Sequence, residues 1–259
     1  MKTAHFKKIL AGNNAVRINA DYIIFNDFEL YNLTTGESKN YSSLDDLIDH
    51  NEEIKRVIEE APYFELQFAG GRGSTSKTQN GKMGFNHANH GGRDGTKTML
   101  NAELNFNTAQ GNSLKAVMGR FKDKYGNADH EYGALVDDQG YVHHLRNGNK
   151  HNVTYAKPLN DMTIVHNHPS GGMFSDTDLI TTASTKARGV VAMSSNSNNR
   201  GKTYHFQKNN NFKAKDFIKA LRNASWDASL GYDKGSSQWL RGNQRKYGYK
   251  FSSSKLIGE

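Results

Sequence analysis

The strongest constraint on the fold lies between residues 131 and 208, where five short runs of strand character enclose a single helical one. Residues 131–137 (EYGALVD) and 141–147 (YVHHLRN) flank Asp138-Gln139-Gly140 and read as a hairpin. Met162–Val165 is a short apolar strand running into His166, and a polar turn leads from there into a helix over Asp176–Ala187. After Gly189 come the strands GVVAMSS and KTYHFQK, with an Asn/Ser/Gly turn between them. The order β-β-β-α-β-β indicates an α/β fold whose sheet is of mixed direction. Upstream, Ser113 can cap a helix that carries Leu114, Val117, Met118 and Phe121 on one face and ends near Gly126; it should pack on the sheet that follows.

Four segments follow from pattern and composition. Residues 1–69 read as a small β-hairpin-plus-helix module. Residues 21–41 alternate apolar and polar around a turn at Thr34-Thr35-Gly36-Glu37, and Ser43 with Asp46 begins a helix bearing Leu44, Leu47, Ile48, Ile54, Val57 and Ile58 up to Pro62. Residues 70–98 are rich in Gly, Ser, Thr and Asn and read as a linker or mobile loop. His87 and His90 lie there at a spacing that suits a metal on a helix, but the glycines on both sides argue against a helix. Residues 99–210 form the main domain. Residues 211–259 form a basic, aromatic extension that opens with a helix carrying Phe212, Phe217, Ile218 and Leu221 and ends in WLRGNQRKYGYKF.

Charge and cysteine content narrow the chemistry. The chain has no cysteine, which excludes disulfides, thiolate nucleophiles and Cys-rich zinc sites, so any metal must be held by His, Asp, Glu or water. That absence suits a reducing cytosol. No window approaches the ~20 continuous apolar residues that span a bilayer, and the apolar run in MKTAHFKKILAGNNAV is too short for a secretory signal, so the expectation is a cytoplasmic protein without a membrane partner. Residues 200–259 hold 13 Lys and Arg against 4 Asp and Glu, a net +9, whereas the first 199 residues sum to −1. A basic tail either solubilises or attracts nucleic acid or an acidic protein. Trp239, Tyr247, Tyr249 and Phe251, interleaved with Arg241, Arg245, Lys246 and Lys250, read either as a stacking and phosphate-contacting surface or as a final core-packing strand with a charged outer face.

The segment His166-Asn167-His168-Pro169-Ser170-Gly171-Gly172-Met173-Phe174-Ser175-Asp176-Thr177-Asp178 carries the chemistry. Residues i and i+2 of a strand point to the same side, so His166 and His168 can present two imidazoles to one ion. Pro169 stops strand pairing, the glycines let the chain reverse, and a helix beginning near Ser175 places Asp178 in its first turn. The carboxylate can then return to the two histidines and complete a His2Asp set. Its fourth position stays open for water, as in a catalytic zinc site. Taken singly, Ser175-x-x-Asp178 is also an ordinary helix cap, and strand histidines such as His143 and His144 are commonly exposed polar residues.

This segment resembles the JAMM (MPN+) metallopeptidase signature, and in wording its bacterial and phage branch that includes RadC-like proteins. The likeness covers about residues 128–207, and the stretch between His168 and Asp178 is one residue shorter than the family's, a gap that falls in the turn around Met173. It implies a JAMM/MPN-like mixed β-sheet flanked by helices, and Zn2+ held by His166, His168 and Asp178. It also implies an upstream glutamate as general base. Between Glu103 and Glu259 the chain has a single glutamate, Glu131, at the start of the strand where the family places that base. By the same resemblance Ser175 hydrogen-bonds the developing oxyanion. The implied activity is cleavage of a peptide or isopeptide bond in a protein substrate, such as a ubiquitin-like conjugate or a phage or toxin polypeptide. The alternative is a RadC-like, nucleic-acid-associated protein of a phage or mobile element that uses the basic C-terminal region.

Overall fold

The structure, a computed structural model, describes residues 2–60, 66–68, 80–85, 97–98, 113–155, 159–169, 171–194 and 201–255. The N-terminal part holds α1 (Lys2–Gly12), β1 (Ala15–Arg17), β2 (Tyr22–Phe25), β3 (Glu29–Asn32), β4 (Ser38–Asn40), α2 (Leu44–Asp49) and α3 (Glu52–Glu60). This corrects the single hairpin and helix: the strands form an antiparallel meander in the order β1-β2-β3-β4. The Thr34–Glu37 turn joins β3 to β4, with Asn32 bonding both Glu37 and Gly36 through its backbone. Because alternate strand residues face opposite ways, this sheet serves two cores. Val16, Ile24 and Leu30 pack with Phe6, Leu10, Leu47 and Ile58 of the helices. Ala15, Ile23, Phe25 and Tyr31 belong instead to the core of the main domain.

That domain continues with β5 (Leu66–Phe68), β6 (Lys82–Met83), β7 (Lys97–Thr98), α4 (Leu114–Tyr125), β8 (Tyr132–Val136), β9 (Val142–Asn147), β10 (Val153–Tyr155), β11 (Thr163–His168), α5 (Asp176–Ser184), β12 (Gly189–Ser194) and β13 (Lys202–Lys208). The described residues end with α6 (Ala214–Arg222), β14 (Trp226–Asp227), α7 (Gly231–Tyr247) and β15 (Tyr249–Lys255). Seven strands form one sheet in the order β15-β13-β12-β11-β8-β9-β7. Within it β11 and β12 are parallel and the other recorded pairs antiparallel. Two parallel neighbours need a crossover, which α5 provides. The fold is therefore α/β with a mixed sheet, as the order of apolar runs indicates.

Local chemistry explains the main elements. Asp137 closes the β8–β9 turn by accepting from the backbone N–H groups of Gln139 and Tyr141. Ser113 caps α4 by accepting from Ala116 N–H. β12 is buried along its whole length, as its unbroken apolar run suits a strand covered on both faces. One face of the sheet packs α4 through Val117, Phe121, Val165, Val191 and Met193. The other packs α5, α6 and α7 through Ile164, Val190, Leu179, Ile180, Phe217 and Leu240.

One C-terminal reading and part of the linker reading need correcting. Trp239, Arg241, Arg245, Lys246 and Tyr247 lie on helix α7 rather than on a strand; Tyr249, Lys250 and Phe251 are on one, the edge strand β15. Tyr247, Tyr249 and Phe251 are buried, and the partly buried Trp239 packs edge-on against Phe85. The alternation of aromatic and basic residues thus comes from packing one side of α7 and β15, with Arg241, Arg245, Lys246 and Lys250 left on the exposed side. Phe85 itself lies in the segment read as a linker; there β6 pairs with β14, and the Phe85 ring meets Trp226, Tyr232 and Trp239. His87 and His90 lie outside the described residues.

The two parts of the chain meet at α5 and α6. Asn14 bonds the C-terminal carbonyls of α5, and Arg17 reaches Thr177 in its first turn. Lys215 and Lys219 converge on the buried Glu29, and Arg222 donates to the Thr34 carbonyl. Among the described residues no helix is long and apolar enough to cross a membrane.

Candidate metal centre

β11 holds His166 at the last pair it makes with β8 and carries His168 past it. The ladder runs from Thr163↔Val136 to His166↔Gly133, so His166 and His168 stand on the α5 side of the sheet. After Pro169 the chain reverses at Gly171 and Gly172, whose φ values of 70° and 108° suit residues without a Cβ. Gly171 N–H closes the turn on His168 C=O at 2.9 Å. The turn is held from outside as well: Met173 N–H donates to Asp233, and Tyr232 donates to Phe174 C=O.

Ser175 then starts α5 as its N-cap. Its hydroxyl accepts from Asp178 N–H, while Asp178 Oδ2 accepts from Ser175 N–H at 2.8 Å and from the Ser175 hydroxyl at 2.9 Å. This reciprocal capping box fixes the carboxylate in the first turn. His166 Nε2 lies 2.8 Å from His168 Nε2 and 3.4 Å from Asp178 Oδ1. His168 Nε2 lies 3.7 Å from Asp178 Oδ2, and one ligand atom from each residue falls within 4.8 Å of the others. All three residues are buried.

The donor set fits a metal ion. His168 Nδ1 lies 3.2 Å from Gly172 C=O, a partner that calls for a proton on Nδ1 and so leaves a lone pair on Nε2. Two imidazole nitrogens at 2.8 Å need a proton or a cation between them. Asp178 Oδ1 is buried without a hydrogen-bond partner while Oδ2 is held by Ser175, so one oxygen is anchored and the other available. Burial, reinforced by the nearby His166, pushes the His168 pKa down to about 4, which keeps the ring in the neutral, ligating form at neutral pH. Burial works against ionisation of Asp178 too, but His166, His168 and the Ser175 N–H outweigh it and hold the carboxyl below its ordinary value. The cluster can hold a metal ion.

Glu131 is fully buried immediately before β8. Continued by two residues, the β8–β11 register sets it opposite His168, and alternation turns its side chain to the face of the histidines. His143, taken as a surface residue, is exposed and bonds Asp137. One residue passed over in the sequence is Asn167. Strand alternation points it away from the histidines, yet its side chain bonds the backbone on both sides of Glu131. No local signal marks it, because its partners lie about 35 residues earlier in the chain. Comparison of the chain with family models, with curated proteins and with solved structures gave no match in any of the three.

Proposed function

We propose that the chain is a zinc-dependent hydrolase of the JAMM (MPN+) kind, cleaving a peptide or isopeptide bond in a protein substrate such as a ubiquitin-like conjugate or a phage or toxin polypeptide. One observation carries the reading: His166, His168 and a free oxygen of Asp178 converge in a buried cluster, on the face to which Glu131 is aligned. His166, His168 and Asp178 would hold a zinc ion there, which would supply a Lewis acid and lower the pKa of a water toward about 7. Glu131 accepts the proton of the attacking water and passes it to the leaving amine. Ser175 holds Asp178 at rest; when its hydroxyl turns toward the substrate oxyanion, its backbone N–H still grips Asp178 Oδ2.

The nucleic-acid alternative keeps only part of its footing, since Tyr247, Tyr249 and Phe251 are buried and Trp239 is partly buried. The exposed Arg241, Arg245, Lys246 and Lys250 are what a phosphate backbone could meet. The test is to incubate the purified chain with ubiquitin-like isopeptide conjugates, with chelator and with zinc added back. Cleavage that stops with chelator and returns with zinc is the expected result; cleavage indifferent to chelator contradicts the reading.

A further inference from the structure

We infer that Asn167 is the positioning residue that holds Glu131 beside the histidines, an inference about catalysis that rests on the hydrolase reading above. Glu131 lies beyond the last backbone pair of the β8–β11 ladder, His166↔Gly133, at a point where a strand end would ordinarily fray. Asn167, fully buried, takes over where the ladder stops. Its Oδ1 accepts from Tyr132 N–H at 2.6 Å, and its Nδ2 donates to His130 C=O at 3.0 Å. Those two groups belong to the two peptide bonds of Glu131.

The other ends of the same peptide bonds are held from the β9 side. Glu131 N–H donates to Asn149 C=O at 2.7 Å, and Glu131 C=O accepts from Gly148 N–H at 2.8 Å. All four polar groups of the peptide bonds flanking Glu131 are therefore engaged, two of them by one side chain. A primary amide suits the task because it offers a donor and an acceptor in one plane, as a neighbouring strand's peptide would. Aspartate keeps the acceptor, loses the donor and sets a negative oxygen against the His130 carbonyl. Since Asn167 sits between His166 and His168, one three-residue segment places both histidine ligands and, through the amide, the base. A displacement of about 1 Å at such a base costs on the order of 10²-fold in rate.

The test uses Asn167→Ala and the isosteric Asn167→Asp in the full chain, each alone and with Glu131→Gln. Zinc content, kcat and KM on an isopeptide conjugate, and amide hydrogen exchange at Tyr132 are read together. Both substitutions should leave about one zinc per chain, leave KM within about twofold, lower kcat by about 10- to 100-fold and speed exchange at Tyr132. In the Glu131→Gln background they should lower kcat no further, because Asn167 acts through Glu131. An undiminished kcat, or an equal loss in both backgrounds, overturns the inference. If the unmutated chain shows no zinc-dependent cleavage, the hydrolase reading fails by itself; exchange at Tyr132 then decides whether Asn167 holds Glu131, and unchanged protection in Asn167→Ala refutes it.

Discussion

The two faces of the seven-stranded sheet are made from alternate residues of the same strands, and they differ in what they bury. Toward α4, Ala134, Val136, Val165, Val191 and Met193 meet Val117 and Phe121 in an apolar layer. Toward α5, the pattern begins the same way with Leu135, Ile164 and Val190, then gives way at the end of β11 to His166, His168, Asp178 and Glu131, all buried. Burying such groups is costly unless each finds a partner. The capping box, the Gly172 carbonyl and the Asn167 amide supply partners for the surroundings, and Asp178 Oδ1 still lacks one. The α4 face is apolar throughout, whereas the α5 face buries, beside its own apolar core, a polar cluster that could hold a metal ion.

If the faces are separable in this way, ligand substitutions give the largest effect. His168→Ala or Asp178→Ala should remove bound zinc and all zinc-dependent cleavage, measured by elemental analysis and by assay. Glu131→Gln should rank next: zinc content unchanged and kcat lower by about 10²- to 10⁴-fold, because the amide has nearly the same size and cannot take the proton. Turnover comparable to the unmutated chain would remove Glu131 from the mechanism.

On the opposite face the effect should be on stability instead. Phe121→Ala empties a fully buried site in the α4 layer and should cost about 3–5 kcal/mol in denaturant unfolding. Zinc affinity of the fraction that remains folded should be unaltered, and a large loss of affinity would show that the two faces are coupled. The smallest effect belongs to the tail, where charge reversal at the exposed Arg245 and Lys246 should change stability by no more than about 0.5 kcal/mol. A salt-sensitive affinity for DNA or RNA that disappears on that double reversal would show that the basic side of α7 contacts phosphate.

How much of this was legible in the sequence depended on how far apart the interacting residues lie. The His166–Asp178 segment could be read because a strand end, a glycine turn and a capped first turn are all local; the distant partners Asp233 and Tyr232 hold the turn without being needed to find it. The β8–β9 hairpin and α4 were legible for the same reason, each with its own turn or cap. The place of Glu131 beside His168 depends on the pairing of β8 with β11, and the part played by Asn167 on bonds to that other strand. Nothing near Asn167 announces its part, whereas Glu131 could be singled out as the one glutamate between Glu103 and Glu259. β15 was illegible in another way: beyond Phe251 its sequence is serine-rich, and it is a strand because β13 offers it an edge to pair with. In α7, Gly235, the polar Ser236-Ser237 pair and Gly242 hid a helix that packing on β15 and on the Phe85 and Trp226 cluster sustains.

The most direct test of the account is the metal content of the unmutated chain, purified without chelators and then titrated with zinc. The account predicts about one zinc per chain, bound by the His2Asp cluster and lost on Asp178→Ala. Protein that carries no transition metal and takes up no added zinc would contradict it.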